Sequence, residues 1–315
     1  ACATVGYQES IDSNNNKVFK EVLVQEVLGY HNTHIQSKTN VSPLKVAYRD
    51  RLPKADKQIQ FWENIFKNEV LPVQFPFQKK RTSSHTYVAN AIQVKLGEKL
   101  KNGFEKISAY QKGSMETTCL FLVNMMIHKY LNTNNIMVGS SFAVEDTTQE
   151  KQYVHQLPVV TNINEESTLD DLYEALRNHY NDVKDNATYP LSVLMNQLGL
   201  NTTANYSGLF NILVDYYKED GMLSKTSSTI NPYDMSLEFV DDGSTIDCIV
   251  TYNTSLFDEI QMALFLNRLE VISEQLVDYS DNFELKSLKN LSLDANEEVQ
   301  QTLQDKLAFS LEENF

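Results

Sequence analysis

The sequence predicts an α/β layered domain built on a mixed sheet, and three features carry that prediction. Apolar residues recur at helical spacing in some segments and alternate at period two in others, so helices and strands are both present. The two kinds are intermixed along most of the chain, whereas Asp241-Asp242-Gly243 reads as the turn of a hairpin between the last two strands. The 315 residues, 42% apolar and 22% charged, have ordinary globular composition, with length for a large core and two lobes.

Taken in order, Ala1–Ser10 (ACATVGYQES) reads as a strand already in progress, as expected of a piece of something longer. Val18 to Tyr30 places Val18, Leu23, Val24, Val27 and Leu28 mainly on one helical face, with Asn32 as a stop. Residues 31–43 are polar and turn-like, a linker. Lys57 to Phe66 is a short amphipathic helix carrying the only tryptophan, Trp62. Pro72 and Pro76 force an extended crossing, because proline lacks the amide hydrogen a helix interior needs. Val88 to Leu96 alternates as a half-buried strand should. Glu98–Tyr110 and Thr117–Leu131 are helices, the second apolar nearly all round and therefore buried.

Asn135–Phe142 and His155–Thr161 follow as core strands. Thr168 is a good N-cap for a helix over Leu169–Asp185, and Pro190 opens a short helix to Leu198. Strands are predicted at Gly208–Tyr216, Met235–Val240 and Thr245–Tyr252, and a long amphipathic helix at Leu256–Tyr279. Beyond Asn282 the pattern loosens into an acidic, Asn- and Gln-rich tail expected to pack weakly.

The net charge of −15 argues against general nucleic-acid binding, which needs basic surface, and against anionic membrane. The longest apolar run, Cys119 to Leu131, is too short and too interrupted to span a bilayer. No signal peptide opens the chain, and Cys2, Cys119 and Cys248 are far apart and odd in number. Free thiols in a reducing, cytoplasmic compartment are expected. There is no glycine-rich phosphate loop and no repeat.

Five segments in order resemble the condensation domains of non-ribosomal peptide synthetases. Leu44–Phe66 resembles the lead into that family's second lobe. Ile136–Asp146 (IMVGSSFAVED) resembles its Val-Gly-x-x-x-x-Gly-Arg strand end, and Tyr153–Tyr180 its Phe-Val-Asn-Thr strand with the helix after it. Ala187–Leu200 resembles its Pro-Phe helix, and Tyr252–Leu276 its closing strand and helix. The resemblance implies a chloramphenicol-acetyltransferase-like fold, a mixed sheet covered by helices. Residues 1–56 would be a remnant of the N-terminal lobe and the crossover, 57–282 the C-terminal lobe, and 283–315 a linker toward an adenylation domain. The implied activity is amide-bond formation between a carrier-bound acyl or peptidyl donor and an aminoacyl acceptor. Carrier-protein and adenylation domains are the implied partners. No cofactor or metal is expected on the chain itself, because the substrates ride on the carriers' phosphopantetheine arms.

The family motif His-His-x-x-x-Asp-Gly sits between a strand and a helix, and its second His serves the attacking amine. Aligned on Asp12, Tyr7 and Gln8 fall on the two histidines and Ser13 on the glycine. Gln8 has no pKa near neutrality and cannot take a proton; loss of a general base costs about 10²–10⁴ in rate. Asp12 would be structural, and the arginine that partners it in the family is Glu145 here. Two carboxylates about 4 Å apart repel by roughly 4 kcal/mol near a protein surface, so they must separate or share a proton. His155-Gln156 and Val160 replace the family's Asn-Thr and Arg, and Asn186-Ala187 replaces a His-Gln pair.

These losses predict a degenerate, inactive copy that at most docks carrier proteins or acts as a scaffold. The alternative is a condensation acyltransferase that is active once its missing N-terminal part is present; composition does not separate the two. Among other candidates, His155 in a strand and the His31/His34 pair are read as structural rather than catalytic or chelating. Asp170-Asp171 suits the positive end of a helix dipole, and Met125-Met126 fills core. Tyr216-Tyr217 ends a strand that, in the family, borders the tunnel, which makes a substrate-facing tyrosine a candidate.

Overall fold

The computed structural model describes residues 55–67, 72–81, 86–146, 151–189, 209–218 and 231–293. Its elements, in order, are α1 (Ala55–Phe66), β1 (Ala89–Lys95), α2 (Gly97–Tyr110), α3 (Met115–Leu131), β2 (Asn135–Asp146), β3 (Lys151–Asn162) and α4 (Leu169–Asp185). They continue with β4 (Ile212–Lys218), β5 (Met235–Asp241), β6 (Ile246–Asn253) and α5 (Glu259–Asp278), closed by two single 3₁₀ turns, Phe283–Leu285 and Leu288–Asn290. The described strands form one mixed sheet in the order β1-β6-β5-β4-β2-β3. β5 and β4, and β4 and β2, run parallel; the other pairs are antiparallel. The predicted strands and helices from 88 onward recur with ends shifted by a few residues. The helices expected at 18–30 and 190–198 lie outside the described residues.

α3 is the centre of the helix layer. Ser114 and Thr117 form a reciprocal capping box at its start, and Asn132 ends it in the left-handed conformation at φ 50°. Every residue from Thr117 to His128 is buried, as the all-round apolar pattern required. The Tyr173 hydroxyl of α4 meets Thr117 Oγ1 at 3.1 Å and Thr118 Oγ1 at 2.8 Å, so the one polar patch of this seam is satisfied. α4 has its own capping box between Thr168 and Asp171, which holds the Asp171 carboxyl below its usual range. Asp170 instead accepts from Gln111 Nε2 at 2.6 Å, fastening α4 to the end of α2.

One member of α3 breaks the pattern. Asn124 is fully buried, and neither its amide oxygen nor its amide nitrogen has a hydrogen-bond partner. A buried amide without partners forfeits its hydration for nothing, a cost of about 1–3 kcal/mol. Asn124→Leu is therefore expected to raise the urea midpoint without changing the m-value; a lowered midpoint would mean the amide is satisfied in solution.

Among the described residues, strand β4 starts at Ile212, and Asn211 stands just before it. Its side chain accepts from Val73 N at 3.0 Å and donates to Val73 O at 2.6 Å, pairing with the extended segment as a strand neighbour would. The same amide donates to Asp234 Oδ2 at 2.7 Å, and Asp234 takes both terminal nitrogens of Arg81. Residues 72–81 are thereby strapped to the N-terminal ends of β4 and β5, with Val73 and Phe75 buried. The predicted 241–243 turn is present. Gly243 adopts φ +92°, and the Asp242 carboxylate accepts from the amides and hydroxyls of Ser244 and Thr245.

The expected weak packing from residue 283 does not hold as far as Leu293. Phe283, Leu288 and Leu291 are buried in the main core, and Ser292 exchanges two hydrogen bonds with Gln275 of α5. The tail averages polar, but its apolar residues are spaced to seat the first 3₁₀ turn against α4, with Ser292 fastened to α5. Residues 294–315 lie outside the described residues.

Candidate functional site

The sheet has two chemically different faces. Ile212, Val214, Leu237, Phe239, Val250 and Leu157 are among those that face the helices and build the main core. The alternate residues, Asp215, Tyr217, Glu238, Asp247, Ser141 and Gln156, place polar groups on the other face. Such a two-faced sheet reserves one face for chemistry or for another partner.

The polar face is most organised where β2 and β4 meet. These strands share a single registered pair, Gly139 with Leu213. A Cβ on Gly139 would lie 2.0 Å from the Phe210 ring, so only glycine leaves room for that ring there. Past that point a side chain replaces the backbone ladder: Asp215 accepts from Ser141 N at 2.8 Å, from Ser141 Oγ at 2.7 Å and from the Tyr217 hydroxyl at 3.0 Å. Asp215 is 4% exposed, which makes these charge-assisted bonds strong. Beside it the Tyr233 ring stacks on Phe210 at 5.3 Å, and its hydroxyl donates to Gln156 Oε1 at 2.5 Å.

Burial, with Asp215 and Glu238 close by, pushes the Tyr217 hydroxyl well above its usual range. Burial, with Asp215 again, does the same to Tyr233. Both therefore remain protonated donors at neutral pH rather than bases. The described histidines, His128, His155 and His179, all belong to the helix-covered side. His155 stands in β3 on the face of Leu157 and Val159, with Nδ1 2.9 Å from Ala187 O. The cluster can orient a bound group through hydroxyls and a carboxylate, but it holds no imidazole.

The tyrosine pair resolves by strand alternation. Tyr216 turns to the helix side and donates to Asp241 Oδ2 at 2.7 Å, where Lys101 is also near at 3.8 Å. Only Tyr217 reaches the polar face. Met125 and Met126 are core, and Cys119 and Cys248 are buried free thiols whose pKa burial raises. Tyr7, Gln8, Asp12, His31 and His34 lie outside the described residues, and Glu145 is placed only as a backbone position of β2, paired with Gln152. The Asp12–Glu145 relation is therefore an expectation from sequence. Sequence reading missed Asp215, although a carboxylate inside the apolar run ILVDYY signals a buried partner. Among the described residues, no group of three or more His, Cys, Asp or Glu could hold a metal ion, and no helix is long and apolar enough to cross a membrane.

A six-stranded mixed sheet with helices packed on one face and a polar opposite face defines a chloramphenicol-acetyltransferase-like lobe. The chain belongs to the condensation-domain family, whose model matches residues 23–312. It is 21% identical to gramicidin S synthase 2 of Brevibacillus brevis over 77% of its length, and 20% identical to bacitracin synthase 1 of Bacillus licheniformis over 82%. It spans only 6% and 5% of those relatives. Among solved structures it resembles the X-domain from teicoplanin biosynthesis, with TM-score 0.68 and 15% identity over 79% of this chain and 59% of that one. It also resembles the four-domain non-ribosomal peptide synthetase AB3403, with TM-score 0.68 and 13% identity over 89% and 24%.

Proposed function

We propose that this chain serves a non-ribosomal peptide synthetase of secondary metabolism as a condensation-family module that engages carrier-borne partners without itself forming the amide bond. The observation that carries this reading is chemical. By its resemblance in sequence, the position expected to align with the family's proton acceptor is Gln8, and the described polar face offers no histidine in its place. Asp215 is committed to Ser141 and Tyr217, and the tyrosine hydroxyls are held protonated. An acceptor ammonium brought to this face would meet oriented oxygens but, among the described residues, no imidazole to deprotonate it.

The fold likeness supports a docking role. The teicoplanin X-domain, a structural neighbour, has been solved in complex with another protein, OxyB. For this chain the partners would be carrier proteins, presenting their phosphopantetheine-bound acyl and aminoacyl groups, with an adenylation domain in the same assembly.

The test loads donor and acceptor carrier proteins, adds the chain and follows condensed product by intact-protein mass spectrometry, with carrier binding measured in parallel. Binding without product above background is expected. Product from this chain alone, or failure to bind either carrier, would overturn the reading. Gln8→His combined with Glu145→Arg restores the family pattern at that corner, where a general base is worth about 10²–10⁴ in rate.

A further inference from the structure

We propose that His179 makes the seat of α1 pH-sensitive: protonation of its imidazole releases the helix from α4 and the turn that follows. Directed contacts and ring packing hold α1 there. Trp62, fully buried, donates Nε1–H to Asn186 O at 3.2 Å, and Gln58 Nε2 donates to Thr188 Oγ1 at 2.7 Å. Phe61 packs edge-on to Trp62 at 5.1 Å and lies 6.3 Å from the His179 ring, their planes inclined by 31°. The imidazole is thus part of the surface on which α1 rests.

The Nε2 atom of His179 is out of water and has no hydrogen-bond partner. A neutral imidazole tolerates this as an idle lone pair. An imidazolium must donate from both nitrogens, and at Nε2 this seat offers neither water nor an acceptor. Burial accordingly lowers the His179 pKa, and the charge of Asp182, one turn on in α4, opposes that shift without reversing it. From α1 the facing group is the Phe61 ring; the charged side chains of that helix are Asp56, Lys57 and Glu63. His155 contacts the same turn through Ala187 O, but an imidazolium there can still donate from Nδ1.

The sign follows from linkage. The ordinary value is 6.5, and the docked value is lower. Released histidine binds the proton more tightly, so docking is fully stabilised above 6.5 and weakens as pH falls below it toward the depressed value. α1 is the first described element, so mild acidification would free that helix from α4. The proposal stands independently of whether the chain forms amide bonds.

Trp62 is the chain's only tryptophan, so its fluorescence reports on this helix alone. In the full 315-residue chain, taking the pH from 8 to 5 is expected to red-shift the emission reversibly and raise acrylamide quenching several-fold, with onset below 6.5. His179→Phe should abolish the change and His155→Asn should preserve it. If His179→Phe does not give wild-type circular dichroism at pH 8, His179→Gln, neutral throughout the range, carries the same comparison. Constant emission in the wild type would overturn the proposal. So would a transition that survives loss of His179, or one that depends on His155 instead.

Discussion

Asp234→Ala is expected to lower the unfolding free energy by about 3–5 kcal/mol, the usual effect of breaking a buried ion pair from one side. Asp234 is 2% exposed, and its carboxylate takes Arg81 Nη1 at 2.9 Å, Arg81 Nη2 and the Asn211 amide. The loss is large because the guanidinium, whose side chain is 14% exposed, keeps its charge when the carboxylate goes. Asn211 would lose one of the two acceptors that orient its bridge to Val73, so the strap over residues 72–81 should loosen as well. Urea denaturation reads the effect as a lower midpoint at unchanged m-value. Replacing both partners, Arg81→Met with Asp234→Leu, should recover most of the loss, because no charge then remains buried. A single-variant loss under about 1 kcal/mol would place the pair among solvent-relaxed surface bridges and leave the strap held by its apolar residues.

This cluster also shows what was legible in the sequence and what was not. α2, α3 and α4 were readable because periodicity and capping are local: Ser114 with Thr117 and Thr168 with Asp171 each close within one turn. The hairpin at 241–243 was readable for the same reason. The strap over residues 72–81 was not, since it rests on Asn211 bonding Val73, 138 residues earlier in the chain. Tyr216 and Tyr217 looked equivalent until the register assigned them to opposite faces, one to Asp241 and one to Asp215. The resemblance to the condensation family reached the fold through its apolar framework. The organised part of the polar face rests on pairs such as Ser141–Asp215, 74 residues apart, which no local pattern encodes. A buried carboxylate in an apolar strand announces that a partner exists, but not which one.

Asp215→Ala is expected to let β2 and β4 part beyond Gly139. The two strands share one registered pair, and the carboxylate supplies the connection that the backbone does not. Hydrogen bonds to a buried charge are worth about 1.5–3 kcal/mol each, and the three here act as a unit, so a combined loss of about 3 kcal/mol is the expected scale. The diagnostic is the Ser141 amide, whose acceptor is this side chain rather than a carbonyl of β4. If the loss is local, that amide should exchange roughly a hundredfold faster, the equivalent of about 3 kcal/mol, while amides of α3 keep their protection. Asp215→Asn should fall between the two. It retains an acceptor for Ser141 N but presents an amide hydrogen to the Ser141 and Tyr217 hydroxyls, which must turn away. An unchanged Ser141 amide in Asp215→Ala would mean that the polar face is held open and aligned by its apolar neighbours, Met137, Phe210 and Leu213, and that the carboxylate is available to whatever docks there.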